Sequence, residues 1–314
     1  MRVTLLGGTG FIGHQVARRL VEAGADVSVI HRGQTTANLP GVRFLTADRH
    51  DPSTLRRALV AAAPEVLIDM IAYRGSDVDG LALALPTSLE RLVVISSGDV
   101  YWTYGAFLGV RSSISAANAL PPADPLPEDA PLREQLFPYR AQAKSSDDLL
   151  YEYDKILVEQ TARAGAGVPV TILRLPMVYG PRDPQRRVAG VLERLRAGPA
   201  TLKLNAGEAE WRCTRGYVED VAWAIQLAAL DRRADGQIFN LGEPDALTQV
   251  EWVGAIAAAA EWTGTVLTDE AEPATMPANW RISLVVDSGR IRRMLGYTEP
   301  IGRREGLRRT ATAT

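Results

Sequence analysis

The chain has 314 residues, 46% of them hydrophobic and 23% charged, with a formal net charge of −2; that is an ordinary globular composition, long enough for one large core or two modest ones. The near-neutral balance argues against nucleic acid or an anionic membrane surface as the main partner. The single cysteine, Cys213, excludes an internal disulfide, and no apolar run reaches the roughly 18 residues that a spanning helix needs.

Residues 3–6 read as a buried strand starting almost at Met1. This leaves no room for a secretion signal and makes the cytoplasm the expected compartment. Gly7, Gly10 and Gly13 follow at G-x-x-G-x-x-G spacing, and Ile12, Val16 and Leu20 then mark one face of a helix over 11–23. In a strand–turn–helix of this kind the first glycine permits the tight turn and the second lets backbone approach a pyrophosphate. The third lets helix and strand pack closely, and the helix N-terminus supplies free N–H groups to the phosphates. Dinucleotide binding is the expectation; an ordinary βα turn is the alternative.

Further strands are expected at 27–30, 42–46, 65–70, 91–96, 168–173 and 237–241. Helices are expected at 52–62, where Asp51-Pro52 is a start signal, and at 146–164, 184–197, 218–230, 248–261 and 287–295. The early alternation predicts an α/β fold with a doubly wound, parallel Rossmann sheet. Residues 1–175 are expected to bind the dinucleotide and carry the catalytic groups. Residues 176–314 are expected to form a smaller C-terminal substrate lobe, with some elements returning to the sheet.

The second strand ends Ile30-His31-Arg32-Gly33. Rossmann sites place an acid there for a ribose 2′-hydroxyl, or an Arg nearby for a 2′-phosphate. With no acid and a guanidinium in place, NADP is expected over NAD. Asp48 is suited to the adenine amino group or to capping its own loop. Residues 102–146 carry six prolines and a group of aromatics. They read as a long insertion: either a lid over the site, with Arg133 or Arg140 as an anionic contact, or a disordered surface loop.

Tyr151 and Lys155 stand four apart. On one helix they would share a face, and the ammonium would lower the phenol's pKa toward general acid–base use. A surface pair of this spacing is also common.

The motifs GGTGFIG (7–13), ISSGDVY (95–101), YEYDKILVEQ (151–160), LRLPMVYGP (173–181), GYVEDVAWAI (216–225), FNLGEP (239–244) and RRMLGY (292–297) occur in this order. Together they resemble the extended short-chain dehydrogenase/reductase family of the NAD-dependent epimerase/dehydratase type, over nearly the whole length. The resemblance implies catalytic roles for Ser97, Tyr151 and Lys155, with Lys155 also on the nicotinamide ribose. It places the cofactor against Gly7, Gly10, Phe11, Ile12 and Gly13, then His31, Arg32, Asp48, Ala72, Tyr151, Lys155 and Pro176. Asp99, Met177, Arg212 and Arg215 fall on its substrate side. Met177 stands where sugar-nucleotide epimerases carry Asn. Cys213 stands where they carry Arg, with Arg212 and Arg215 to either side.

The function implied is NAD(P)-dependent hydride transfer at a secondary alcohol or ketone of a sugar-like or nucleotide-linked small molecule, as oxidation, reduction or epimerisation. Asp99 leaves dehydration open. An NADPH ketoreductase on a non-nucleotide substrate is an alternative. So, from another class, is a non-catalytic dinucleotide-binding regulator or RNA-associated relative. A homodimer is left open, because only about 20 residues separate the fourth and fifth strands. No metal and no membrane partner is expected.

Overall fold

The computed structural model describes residues 1–34, 38–109, 124–198 and 200–313. Short β-rich runs form β1 (Arg2–Leu6), β2 (Asp26–His31), β3 (Val42–Thr46), β4 (Val66–Asp69), β5 (Arg91–Ser97) and β6 (Val170–Leu175). Then come β7 (Met177–Tyr179), β8 (Thr201–Asn205), β9 (Arg215–Tyr217), β10 (Ile238–Asn240) and β11 (Thr265–Asp269). The main sheet has seven strands in the order β10-β6-β5-β4-β1-β2-β3, and every pairing in it is parallel. The order reverses beside β1, which is where a doubly wound sheet opens a crevice at its carboxyl edge. The small pairs β7–β9 and β8–β11 stand apart from the main sheet.

The helices in the first half are α1 (Phe11–Glu22), α2 (Pro52–Ala62), α3 (Gly75–Ala82), α4 (Trp102–Phe107), α5 (Leu149–Glu152) and α6 (Lys155–Gly165). The second half holds α7 (Ala189–Arg196), α8 (Ala206–Ala209), α9 (Val218–Leu230), α10 (Gln249–Ala259), α11 (Gly289–Leu295) and α12 (Gly302–Ala313). Side chains alternate along the strands and so divide the core between the two faces. On β5, Val93 and Ile95 join one apolar cluster with Val16 and Leu20 of α1 and Val221 of α9. Leu92 and Val94 join the other, with Leu55 of α2, Val78 of α3 and Val158 of α6. Asp51 caps α2 as its sequence signal suggests, its Oδ1 accepting from Ser53 N at 3.0 Å and Thr54 N at 3.3 Å.

Two expectations are corrected. The helix read over 146–164 is broken: α5 ends at Glu152, and α6 starts at Lys155 with Asp154 as its N-cap. The 102–146 insertion is not one long loop, since it opens with α4 and its later part is pinned into the fold. Leu126 N donates to Val285 O at 2.8 Å, and Arg133 N to Val100 O at 2.8 Å. Residues 110–123 of the segment read as a possible lid lie outside the described residues.

Buried ion pairs fasten the carboxyl half of the sheet. Arg174 on β6 donates to both oxygens of Glu159 on α6, at 2.9 and 2.7 Å. Its other amino group donates to Tyr101 Oη at 3.0 Å and Glu128 O at 2.8 Å. Ser96 Oγ donates to Glu159 Oε1 at 2.5 Å. Removing one partner of such a pair leaves an uncompensated buried charge, worth roughly 3–5 kcal/mol. Glu159→Ala is therefore expected to lower the urea midpoint markedly. The double change Glu159→Leu with Arg174→Met should cost less than Glu159→Ala, because no lone charge remains. Equal midpoints for Glu159→Ala and the unmodified protein would contradict this.

Candidate active site

The turn after β1 is built for close approach. Gly7 has φ +91°, and a Cβ there would lie 2.4 Å from Ile71 Cγ2. A Cβ on Gly13 would lie 2.7 Å from Gly7 O and 2.8 Å from Gly8 Cα, so α1 packs directly on the turn. Gly10 is the N-cap of α1, and a Cβ there would meet nothing within 4 Å. The space over Gly10 is open, and the N–H groups of the first turn of α1 form the positive end of the helix dipole. The donor set fits a dinucleotide's phosphates.

A cleft of about 440 Å³ runs from this turn past His31, Arg32, His50, Tyr73 and Arg74. Arg32 is exposed on its wall, and no carboxylate among the described residues bonds it. Arg49 also lines the cleft, but its charge is taken up by Asp69, with two contacts of 3.0 Å. Asp48 does not line the cleft; it is exposed, and its Oδ1 accepts from His50 N at 2.9 Å. Phe11 and Ile12 pack their side chains against the core, so only their backbone is placed for a ligand.

Across Tyr73 and Leu149, which line both spaces, a second cavity of about 550 Å³ opens. Ser97, Asp99, Tyr104, Tyr139, Tyr153 and Pro176 are among its walls. Ser97 ends β5, and its Oγ accepts from Asp99 N at 3.2 Å. The Lys155 ammonium is buried and donates to Ala72 O at 2.5 Å and Ile95 O at 2.8 Å. Burial brings its pKa down to about 8, against the opposing pull of Asp99 and Asp69.

The sequence motif's tyrosine is elsewhere. Tyr151 lies on α5, 37% exposed and away from the cavity, its ring under the Arg140 guanidinium at 4.7 Å. Tyr151 and Lys155 therefore do not share a helix face. Asp154 is the physical reason. Its carboxylate caps α6 by accepting from Ile156 N at 2.9 Å, and it also accepts from Phe137 N at 2.6 Å and pairs with Arg133 at 3.3 Å. An Asp is a poor interior residue and a good cap, so the helix restarts there.

The break turns Tyr153 inward. Its hydroxyl donates to Asp99 Oδ2 at 2.8 Å, and its ring stacks on Tyr73 at 6.1 Å. The Tyr139 hydroxyl lies 3.1 Å from the same Asp99 oxygen and 2.8 Å from the Tyr104 hydroxyl. Asp99 Oδ1 is buried with no partner among the described residues. Burial pushes the Asp99 carboxyl up, opposed by the Tyr153 hydrogen bond and by Arg133 and Lys155. Burial and the neighbouring Asp99 hold Tyr153 well above the usual phenol range. Sequence reasoning did not pick out Tyr73, Tyr139 or Tyr153 as site residues. Asp154 directly before Lys155 was the signal that locates Tyr153.

On the far wall, Met177 and Cys213 touch, Sγ to Sδ at 3.6 Å. Arg212 and Arg215 are not brought to the cavity. Arg212 pairs with Asp124 at 3.1 Å. Arg215 is buried over the Trp252 ring and donates to Gln249 Oε1 at 2.7 Å. Arg187 is the one guanidinium among the described lining residues, and Asp183 holds it at 3.1 Å. Among the described residues no group of side chains could hold a metal ion, and no helix is long and apolar enough to cross a membrane.

Comparison with known proteins gives the family. The 2'-dehydrokanamycin reductase of Streptomyces kanamyceticus is 26% identical over 296 residues, covering 92% of this chain and 73% of that one. The chloroplast stem-loop binding protein of 41 kDa b of Arabidopsis thaliana is 26% identical over 254 residues, covering 76% and 58%. The fold matches the UDP-glucose 4-epimerase of Thermus thermophilus in complex with NAD, with TM-score 0.69 and 23% identity over 100% of this chain and 98% of that one. It also matches the Bordetella bronchiseptica enzyme WbmG in complex with NAD and UDP, with TM-score 0.71 and 18% identity over 99% and 94%. The sequence model of the NAD dependent epimerase/dehydratase family matches residues 3–84 and 115–242. The chain belongs to that family, the extended short-chain dehydrogenases/reductases.

Proposed function

We propose that this enzyme is an NADP-dependent dehydrogenase/reductase acting on a secondary alcohol or ketone of a small molecule without a nucleotide diphosphate. The observation that carries this reading is the common wall of the two cavities, which sets Ser97 and its neighbouring phenols beside the cofactor cleft. Bound there, the cofactor supplies or accepts a hydride. Ser97 orients the reacting oxygen, Lys155 holds the nicotinamide ribose, and a phenol on the wall exchanges the proton.

The substrate class follows from charge. A diphosphate entering the second cavity would lose hydration and find no free cation among the described lining residues, since Arg187 is paired and Arg212 and Arg215 are turned away. The reductase relative supports the same reading. Turnover of a panel of small ketones with NADPH, followed by loss of its absorbance, is the expected result. Interconversion of UDP-sugars without net cofactor change would refute it.

Arg32 is proposed to take the 2′-phosphate. A charge-assisted contact is worth about 1.5–3 kcal/mol, so Arg32→Ala should weaken NADP binding by roughly 10–150-fold and leave NAD nearly unchanged. Equal losses in a fluorescence titration would remove that role.

The Lys155 ammonium has three donors, and two are used by Ala72 O and Ile95 O. The neutral amine would keep none for a ribose. Cofactor affinity of the free enzyme should therefore fall as pH rises through about 8, the charged form lying below that value. A flat profile from neutral pH upward would count against Lys155 as the ribose ligand.

A further inference from the structure

We infer that Tyr153, not Tyr151, is the phenol that exchanges a proton with the substrate, and that Asp99 is its proton partner. The inference rests on the hydride-transfer reading above. Two facts of position separate the tyrosines. Tyr153 lines the substrate cavity beside Ser97, whereas Tyr151 lies outside it with its ring against Arg140. Among the described residues only Tyr153 of the two has a group to pass its proton to, the Asp99 carboxylate at 2.8 Å.

The step balances in the direction of alcohol oxidation. The substrate O–H bond breaks as a new O–H bond forms on Tyr153 Oη. The phenol's original proton leaves along its existing hydrogen bond to Asp99 Oδ2. A nicotinamide cofactor in its oxidised form would take up the electron pair of the substrate C–H bond as hydride, which balances the loss of the hydroxyl proton as the C=O bond forms. Reduction is the same sequence reversed, with Asp99 returning the proton. Tyr139 and Tyr104 continue the chain of hydroxyls from Asp99, which gives the carboxyl a path for exchange.

The arrangement needs no phenolate. Burial and the Asp99 charge disfavour the ionised form of Tyr153, so a concerted transfer avoids the unfavourable anion. Asp99 is the base, and burial strengthens it. Among the described residues, the titratable and charged groups facing Asp99 are Tyr153, Tyr139, Tyr104, Arg133 and Lys155, with Arg133 donating to the Asp99 backbone carbonyl at 2.5 Å.

The test compares Tyr153→Phe with Tyr151→Phe in two readouts. Turnover should fall by about 10²-fold or more for Tyr153→Phe, with NADPH affinity kept, and stay within a few-fold of the unmodified enzyme for Tyr151→Phe. In the free protein, infrared titration of the carboxyl band lost in Asp99→Asn should move to higher pH in Tyr153→Phe, because the carboxylate loses a donor. It should not move in Tyr151→Phe. The inference is overturned if Tyr153→Phe keeps more than about a tenth of the activity, if Tyr151→Phe loses more than about tenfold, or if the band ignores Tyr153→Phe. If Tyr153→Phe does not fold, Asp99→Asn carries the kinetic arm, with a comparable loss expected and near-normal turnover overturning the inference. No hydride transfer at all in the unmodified, cofactor-bound enzyme would instead refute the parent reading, and the infrared arm would still decide the pairing.

Discussion

The Asp154 carboxylate sets the local geometry of the centre. It is fully buried, and one group does three jobs: it starts α6, receives Phe137 N, and pairs with Arg133. Starting α6 there puts Lys155 at the first helical position, where its side chain reaches the carbonyl of Ala72 in the loop after β4 and that of Ile95 on β5. Interrupting the helix just before it lets the chain direct Tyr153 into the cavity and Tyr151 out of it. Holding Arg133 carries the constraint into the insertion, because Arg133 also grips the Asp99 carbonyl. Desolvating a buried carboxylate is strongly unfavourable, and this one is matched by two backbone donors and a cation, which is what makes it tolerable.

The same arrangement recurs along the sheet. Arg49 with Asp69 and Arg174 with Glu159 are bidentate pairs buried near the carboxyl ends of the central strands. Their value is in position as much as in energy. Planar forks fix direction, and these hold β4, β6 and α6 at the edge where both cavities open.

Much of this was legible in the residues. The glycine spacing, the alternation of strands and helices and the Asp51-Pro52 start mark local rules that the fold obeys, and the sheet follows from them. Family motifs singled out Ser97, which lines the second cavity, and Lys155, which is buried beneath the site on the carbonyls of Ala72 and Ile95. The centre was harder to read because it turns on a conflict between two local rules. Tyr151 and Lys155 at a four-residue interval favour a helix face, while Asp154 between them favours a helix start, and tertiary partners for Asp154 decide in favour of the start. Asp48 and the pair Arg212 and Arg215 illustrate a second limit: a charged residue's sequence position does not say which partner holds it. His50 N takes the first, and Asp124 and Gln249 take the others.

The wall that Tyr73 and Leu149 present to both cavities has a thermodynamic consequence. The Tyr73 ring lies 4.8 Å from the Lys155 ammonium on one side and stacks on Tyr153 on the other. Any shift of that ring when one cavity fills alters the shape and field of the other. Where such a shift occurs the occupancies of the two spaces are linked variables, and linkage is symmetric. Whatever factor a seated nucleotide contributes to the grip on the second molecule, that molecule returns in full to the grip on the nucleotide.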